Sequence, residues 1–168
     1  MIRYKSLNEL HAFSFHDAAI ENISFCEGRM IWLVSSLNAT SQNSQNAQSI
    51  DQCIKEAEMV FSHARVAEIE FWGQMTHDDK GNLVEKVAPR KAVESEFSDI
   101  IQKTVACGWA HFFSMESLEK QGEIHTVCFS IDGGAGMYNM TMEFRDVVVT
   151  WNDYSGPAWY EKPPFKKG

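Results

Sequence analysis

The sequence predicts an α+β fold: a mainly antiparallel sheet, sandwich- or barrel-like, with one long amphipathic helix. Three observations carry this. Segments of alternating apolar and polar residues occupy both ends of the chain, one helical stripe lies between them, and several short turns join neighbouring strand segments. The 168 residues suit a single domain, 1–168.

From the N-terminus, Ser6 with Glu9 three residues later matches a capping box for a short helix over residues 7–12. "IENISF" and "RMIWLVSSL" read as two strands joined at Glu27-Gly28, where glycine supplies the positive φ of a tight turn. Met30 to Val34 is apolar throughout, which predicts a strand covered on both faces. The polar run Asn38 to Ser49 reads as a mobile loop. Residues 50–63 fit either a helical stripe (Ile50, Cys53, Ile54, Ala57, Phe61) or a strand beginning at Glu58. In "VAEIEFW", Ala67, Ile69 and Phe71 alternate with Glu68 and Glu70, which describes a strand with one wet face.

"HDDKGN", from His77, is a turn-rich loop. The helix follows, with Val93, Phe97, Ile100, Ile101 and Thr104 on one stripe and Gly108 placed to end it. The C-terminal third reads as a meander. His125, Val127, Phe129 and Ile131 share one strand face; Tyr138, Met140, Met142 and Phe144 share the next; Val147, Val149 and Trp151 share the last. "DGGAG" is a hairpin turn, since the nucleotide-loop patterns need a following helix. "NDYSGPAWYEKPPF" then leaves the sheet, rich in aromatics and proline.

Composition narrows the function. A net charge of -8 opposes nucleic-acid binding and anionic membranes and permits a basic protein partner. No stretch reaches the length of a membrane-spanning helix. The N-terminus lacks the apolar run of a signal peptide, so Cys26, Cys53, Cys107 and Cys128 read as reduced, mostly buried thiols of a cytoplasmic protein. In that setting the sequons at Asn38 and Asn139 carry no weight. No HExxH, GxSxG or CxxC pattern is present, which gives no catalytic residue, no metal site and no cofactor.

One stretch, "FSFHDAAIENISF", holds a His-Asp pair. Its structural reading is a corner: Asp17 bonds nearby amides while His16 packs among Phe13, Phe15 and Phe25. Its functional reading is a carboxylate orienting an imidazole for proton transfer or metal binding, as in a small hydrolase-like domain. A second candidate region is "WNDYSGPAWYE", where Asp153 stands among Trp151, Tyr154, Trp159 and Tyr160. These aromatics could anchor a protein partner, line a small-molecule pocket, or close the core.

"FHDAAIENISFCEGRMIWLV" and "VVVTWNDYSGPAWYE" resemble the two ends of a group of small uncharacterised bacterial proteins, some similar to immunity proteins of toxin systems. The resemblance spans about a quarter of the chain, by comparison with a domain of this length. It implies a compact β-rich domain without established catalytic residues, a non-catalytic role through protein–protein contact, and strand rather than helix for residues 56–63.

Overall fold

The computed structural model describes residues 2–161. Their strands are β1 (Tyr4–Leu7), β2 (Phe13–Ser14), β3 (Ala19–Cys26), β4 (Arg29–Ala39), β5 (Gln52–Ser62), β6 (Arg65–Phe71), β7 (Gln74–His77), β8 (Leu83–Val87) and β9 (Arg90–Lys91). After helix α1 (Phe97–Ala106) come β10 (His111–Ser117), β11 (His125–Gly133), β12 (Gly136–Phe144), β13 (Asp146–Trp151) and β14 (Tyr154–Pro157). The main sheet runs β1-β13-β5-β4-β3-β10-β11-β12-β6-β9, and the strand pairs along it are antiparallel. Thus the ambiguous stretch 50–63 holds a strand, Gln52–Ser62, and the Glu27-Gly28 turn has positive φ at both positions, 50° and 74°.

The sheet is folded over on itself. Phe61 on β5 meets Phe144 on β12 with ring centroids 4.9 Å apart. Along a flat sheet, five strand spacings would separate them by about 24 Å. Doubling the sheet brings its two halves face to face, as in a sandwich. The edges β1 and β9 do not pair with each other, so the sheet stays open rather than closing into a barrel. The fold line is thin: β3 and β10 share one register pair, His111 with Ala19. Backbone bonds from Asp17 N to Phe112 O and from Phe112 N to Ala18 O extend it.

Apolar alternation fills the space between the halves. Trp32 is fully buried at the centre, stacked on Phe112 at 5.5 Å and tilted against Phe129 at 5.1 Å and Phe61 at 6.0 Å. His125 lies on Phe144 at 5.4 Å, and burial lowers its pKa.

The helix is shorter than its stripe suggested. Val93 has extended backbone (φ −85°, ψ 153°) and is 61% exposed, so it stands outside α1. A 3₁₀ turn, Glu94–Glu96, precedes the ten-residue helix, whose buried residues are Ile100, Ile101 and Thr104. The Glu96 carboxylate takes the Val93 amide and both guanidinium nitrogens of Arg90, which anchors this start. Gly108, at φ 74°, ends the helix as its position indicated. Thr104 Oγ1 lies 2.7 Å from the Tyr138 hydroxyl, linking α1 to β12 inside the core, and burial pushes that phenol up to about 12.

Five local expectations need correction. Met30 to Val34 is covered on one face only: Met30, Trp32 and Val34 are buried, but Leu33 on the other face is exposed. Residues 7–12 hold only a 3₁₀ turn, Leu10–Ala12, because β1 occupies the preceding residues; Ser6 bonds the Glu9 side chain instead of capping a helix. The loop 40–51 is packed rather than loose: Asn46 is buried and its amide donates to the carbonyls of Ala39, Thr40 and Ile50. The chain after Trp151 does not leave the sheet, since β14 pairs with β5 beyond the end of β13; the Pro163-Pro164-Phe165 end of that segment lies outside the described residues. The cysteines are free, but Cys26 is exposed and the others are half-buried.

Candidate functional site

Phe15 and Ala18 are buried and joined by a backbone bond of 3.0 Å, Ala18 N to Phe15 O. They pin a turn whose two central residues, His16 and Asp17, project outward. Asp17 has φ +64°, a left-handed conformation that Asp tolerates better than most residues. His16 Nε2 lies 3.4 Å from Asp17 Oδ2, with both side chains 58% exposed, and His16 Nδ1 lies 3.1 Å from the Phe113 carbonyl. The corner is therefore real, but its mechanism differs from the sequence reading. The imidazole is not packed among phenylalanines: Phe25 is itself exposed, near the far end of β3. The Asp17 carboxylate bonds no backbone amide among the described residues. The turn's stability rests on its left-handed residue and buried anchors. Asp17→Gly should leave the melting temperature unchanged or slightly raised. Asp17→Val, β-branched, should cost about 1–2 kcal/mol. Equal melts for the two variants would overturn that account.

The floor of the site comes from a phase change in β4. Met30, Trp32 and Val34 face the core, and then Leu37 and Ala39 do. Ser36, at φ +58°, shifts the alternation by one residue. Asn38 is thereby placed on the opposite side from Leu37 and Ala39, paired with Ser14 of β2 and Cys53 of β5. It is only 1% exposed, and its side-chain oxygen, itself wholly buried, has no hydrogen-bond partner among the described residues.

A cavity of about 220 Å³ opens here, walled by His16, Asp17, Ser36, Asn38, Cys53 and Trp159. The C-terminal turn that carries Trp159 is held on three sides. Ala158 N donates to Asp51 O at 2.9 Å, Asp51 N to Glu161 Oε1 at 3.1 Å, and Tyr160 OH to Asp51 Oδ2 at 2.8 Å. Burial and the adjacent Asp51 carboxylate push the Tyr160 phenol up to about 12. Trp159 is left 59% exposed, its ring edge-to-face with Tyr160 at 5.5 Å.

The structure thus joins three candidate residues from opposite ends of the chain, His16, Asp17 and Trp159, with Tyr160 as the brace of the third. It separates the rest. Trp151 is a core residue, 2% exposed, packed on Tyr4 and Phe13. Tyr154 joins that cluster, 5.1 Å from Tyr4. Asp153 is exposed and contributes its carbonyl to the Lys55 amide. Ser36, Asn38 and Cys53 escaped the sequence reading. The trace of their role is the broken alternation of "WLVSSLNA", where Val34 and Leu37 stand three apart.

Chemically the cavity is lined by an imidazole, a carboxylate, hydroxyls, an amide, a thiol and an indole. No three His, Cys, Asp or Glu side chains among the described residues converge on a metal-sized point. Both His16 nitrogens already face partners, and the Cys53 thiol lies 3.8 Å from the carbonyl of Ile54.

A second feature stands apart from the main sheet. Strands β7 and β8 pair only with each other, and every residue in them is exposed. Asp78 shapes the connecting turn, accepting the amides of Lys80 and Asn82, and the Asn82 side chain holds its carboxyl below the usual range. The His77-Asp78-Asp79 cluster is therefore a turn whose middle carboxylate is already engaged. Met75 and Val84 are 61% and 66% exposed; the register slips between Thr76 and His77, which leaves Val84 as the extra residue of the ribbon.

No described helix is long and apolar enough to cross a membrane. The class of protein defined so far is an open, folded-over antiparallel sheet with one short helix. The chain matches no family model, no curated protein and no solved structure.

Proposed function

We propose that the protein acts by binding another protein with a basic surface, and that the β7–β8 hairpin enters the contact. The observation that carries this is the hairpin. An isolated two-stranded ribbon is marginally stable in water, and three strands or a packed face are normally needed. This ribbon has neither, yet it exposes Met75, Leu83, Val84 and Val87. A partner surface covering these exposed side chains would supply the missing burial. The chain's charge of -8 selects the occupant. A second copy carries the same charge and is repelled, whereas a basic protein is attracted and its association accelerated. An immunity-type role, in which such a domain covers a basic toxin, is one form of this reading, and the resemblance of the two chain ends supports it.

The test compares wild type with Val84→Glu. Val84 is exposed, so the variant should melt within about 0.5 kcal/mol of wild type. The expected result is a monomer that retains one basic protein from its source cells at low salt and releases it at high salt. Val84→Glu should lose that protein. Self-association through the hairpin, or binding that ignores both salt and Val84→Glu, would overturn the proposal.

A further inference from the structure

We infer that the partner's contact runs from the β7–β8 hairpin onto the outer face of β6, β12, β11 and β10, with Trp72 as its anchor. The inference rests on the basic-partner reading above and names the surface that would meet the partner's charge.

The first support is an aromatic platform outside the core. Phe71 turns inward onto the buried Tyr138, with ring centroids 5.6 Å apart, and Trp72 turns the other way. The Trp72 indole Nε1 donates to Asn139 Oδ1 at 2.9 Å, and the Ser130 hydroxyl donates to the same oxygen at 2.8 Å. The indole stacks on Phe113 at 5.4 Å, and His111 stands edge-on to Phe113 at 5.2 Å. One hydrogen bond and one stacked ring therefore fix the indole, yet Trp72 stays 39% exposed. A half-exposed tryptophan held in one orientation loses little entropy on contact, and tryptophan is prominent among the anchors of protein interfaces.

The second support is charge. The register sets Glu70 beside Asn139, Glu116 beside Cys128 and Asp132 beside His111. Ile69, Phe129 and Ile131, next along these strands, are fully buried, so the three carboxylates lie on the outer face with the indole. Burial pushes the Cys128 thiol up, and the neighbouring Glu116, Glu68 and Glu70 add to that rise, which places these carboxylates around one point of the face. Lys91 matches Glu68 at 2.5 Å. Glu70, Glu116 and Asp132 join no ion pair among the described residues. Three unmatched negative charges thus flank the platform and complement lysine or arginine on a partner.

The third support is continuity with the hairpin. Trp72 directly precedes Gly73 and β7, and a cavity of about 330 Å³ lies at this root. Phe71, Trp72, Arg90 and Met137 line it from the main sheet, and Gln74 and Val87 from the ribbon. The root is closely packed: a Cβ on Gly73 would stand 2.8 Å from Pro89 Cδ, and Trp72 N donates to Met137 O at 3.0 Å. Arg90 lies over the Phe71 ring at 4.9 Å with both its terminal nitrogens on Glu96, so its charge is already matched. An apolar side chain of the partner fits the cavity against the indole, while basic residues beside it meet the three carboxylates. A second copy would bring the same carboxylates to this face and be repelled.

The experiment is an NMR titration of the full chain with acetyl-Lys-Leu-Lys-amide, following the Trp72 indole N–H and the backbone amides of Val87 and Phe113. Acetyl-Lys-Gly-Lys-amide and acetyl-Glu-Leu-Glu-amide are the comparison probes. The Lys-Leu-Lys peptide should shift these signals at millimolar concentration, and less at high salt. The glycine peptide should bind about fivefold more weakly, having no side chain for the cavity, and the acidic peptide should shift nothing. Trp72→Ala should weaken binding about tenfold. Glu116→Lys should weaken it about threefold; this side chain is exposed and makes no hydrogen bond among the described residues, so it carries the test if Trp72→Ala melts early. No shift, equal binding of the acidic peptide, shifts mapping elsewhere, or indifference to Glu116→Lys would overturn the inference. Protein capture that Val84→Glu abolishes but Trp72→Ala and Glu116→Lys leave intact would sink it and leave the hairpin reading standing. Peptide shifts at this face with no protein captured would support the surface and remove the protein-partner reading.

Discussion

Trp32→Ala is expected to destabilise the protein by about 3–5 kcal/mol, the range for removing a large aromatic from a packed core. Trp32 is fully buried and touches Phe61, Phe112 and Phe129, which come from both halves of the folded sheet. Its loss opens a void where the two halves meet, and strands tied by full ladders cannot move in to fill it. Trp32→Phe should cost far less, about 1–2 kcal/mol. The indole N–H is buried without a partner among the described residues, so phenylalanine removes an unmet donor while it removes volume. Urea unfolding of the three proteins measures both differences. Similar losses for the two variants would show that the N–H has a partner after all.

Gly134→Val should lower stability by about 3 kcal/mol, near the upper end for overpacking. A Cβ on Gly134 would overlap the Lys103 carbonyl oxygen, and one on Gly133 would stand 2.7 Å from the Thr104 methyl. The last turn of α1 rests directly on this glycine pair, and Gly134 N donates to Thr104 O at 3.2 Å. Any side chain lifts the helix from the sheet and strains the Thr104–Tyr138 bond. Gly134→Ala is the milder step, about 1–3 kcal/mol. Thermal melts decide: a Gly134→Val protein as stable as wild type would mean that the helix does not seat here.

The "DGGAG" stretch shows where sequence reading stops. Its glycines and its place between two alternating segments identified a hairpin turn, because turn chemistry is local. That two of them exist to admit a helix was illegible, because the helix arrives from thirty residues upstream, on the scale of a whole supersecondary unit. Val93 fails for the opposite reason. It continued the helical stripe in number, but an extended backbone and a carboxylate bonded to its amide start the helix later. The hairpin at 74–87 left only the turn residues "HDDKGN" as a trace, since exposed strands carry no alternation to read.

The sequence by itself determined the strand-rich character, the Glu27-Gly28 turn, the strands of the C-terminal meander and the end of the helix at Gly108. Each follows from periodicity or from one residue's allowed backbone, and both act within a few neighbours. It also picked out His16, Asp17 and Trp159, as an uncommon pair and an aromatic after a proline. Only the tertiary structure decided that these three face one cavity while Trp151 goes to the core. The physical reason is the doubled sheet. Its thin seam at β3 and β10 puts the His16-Asp17 turn at the fold line, and β14 returns along β5 to set Trp159 beside it. Pairings between residues more than a hundred positions apart depend on how a whole sheet bends, and no local pattern encodes that.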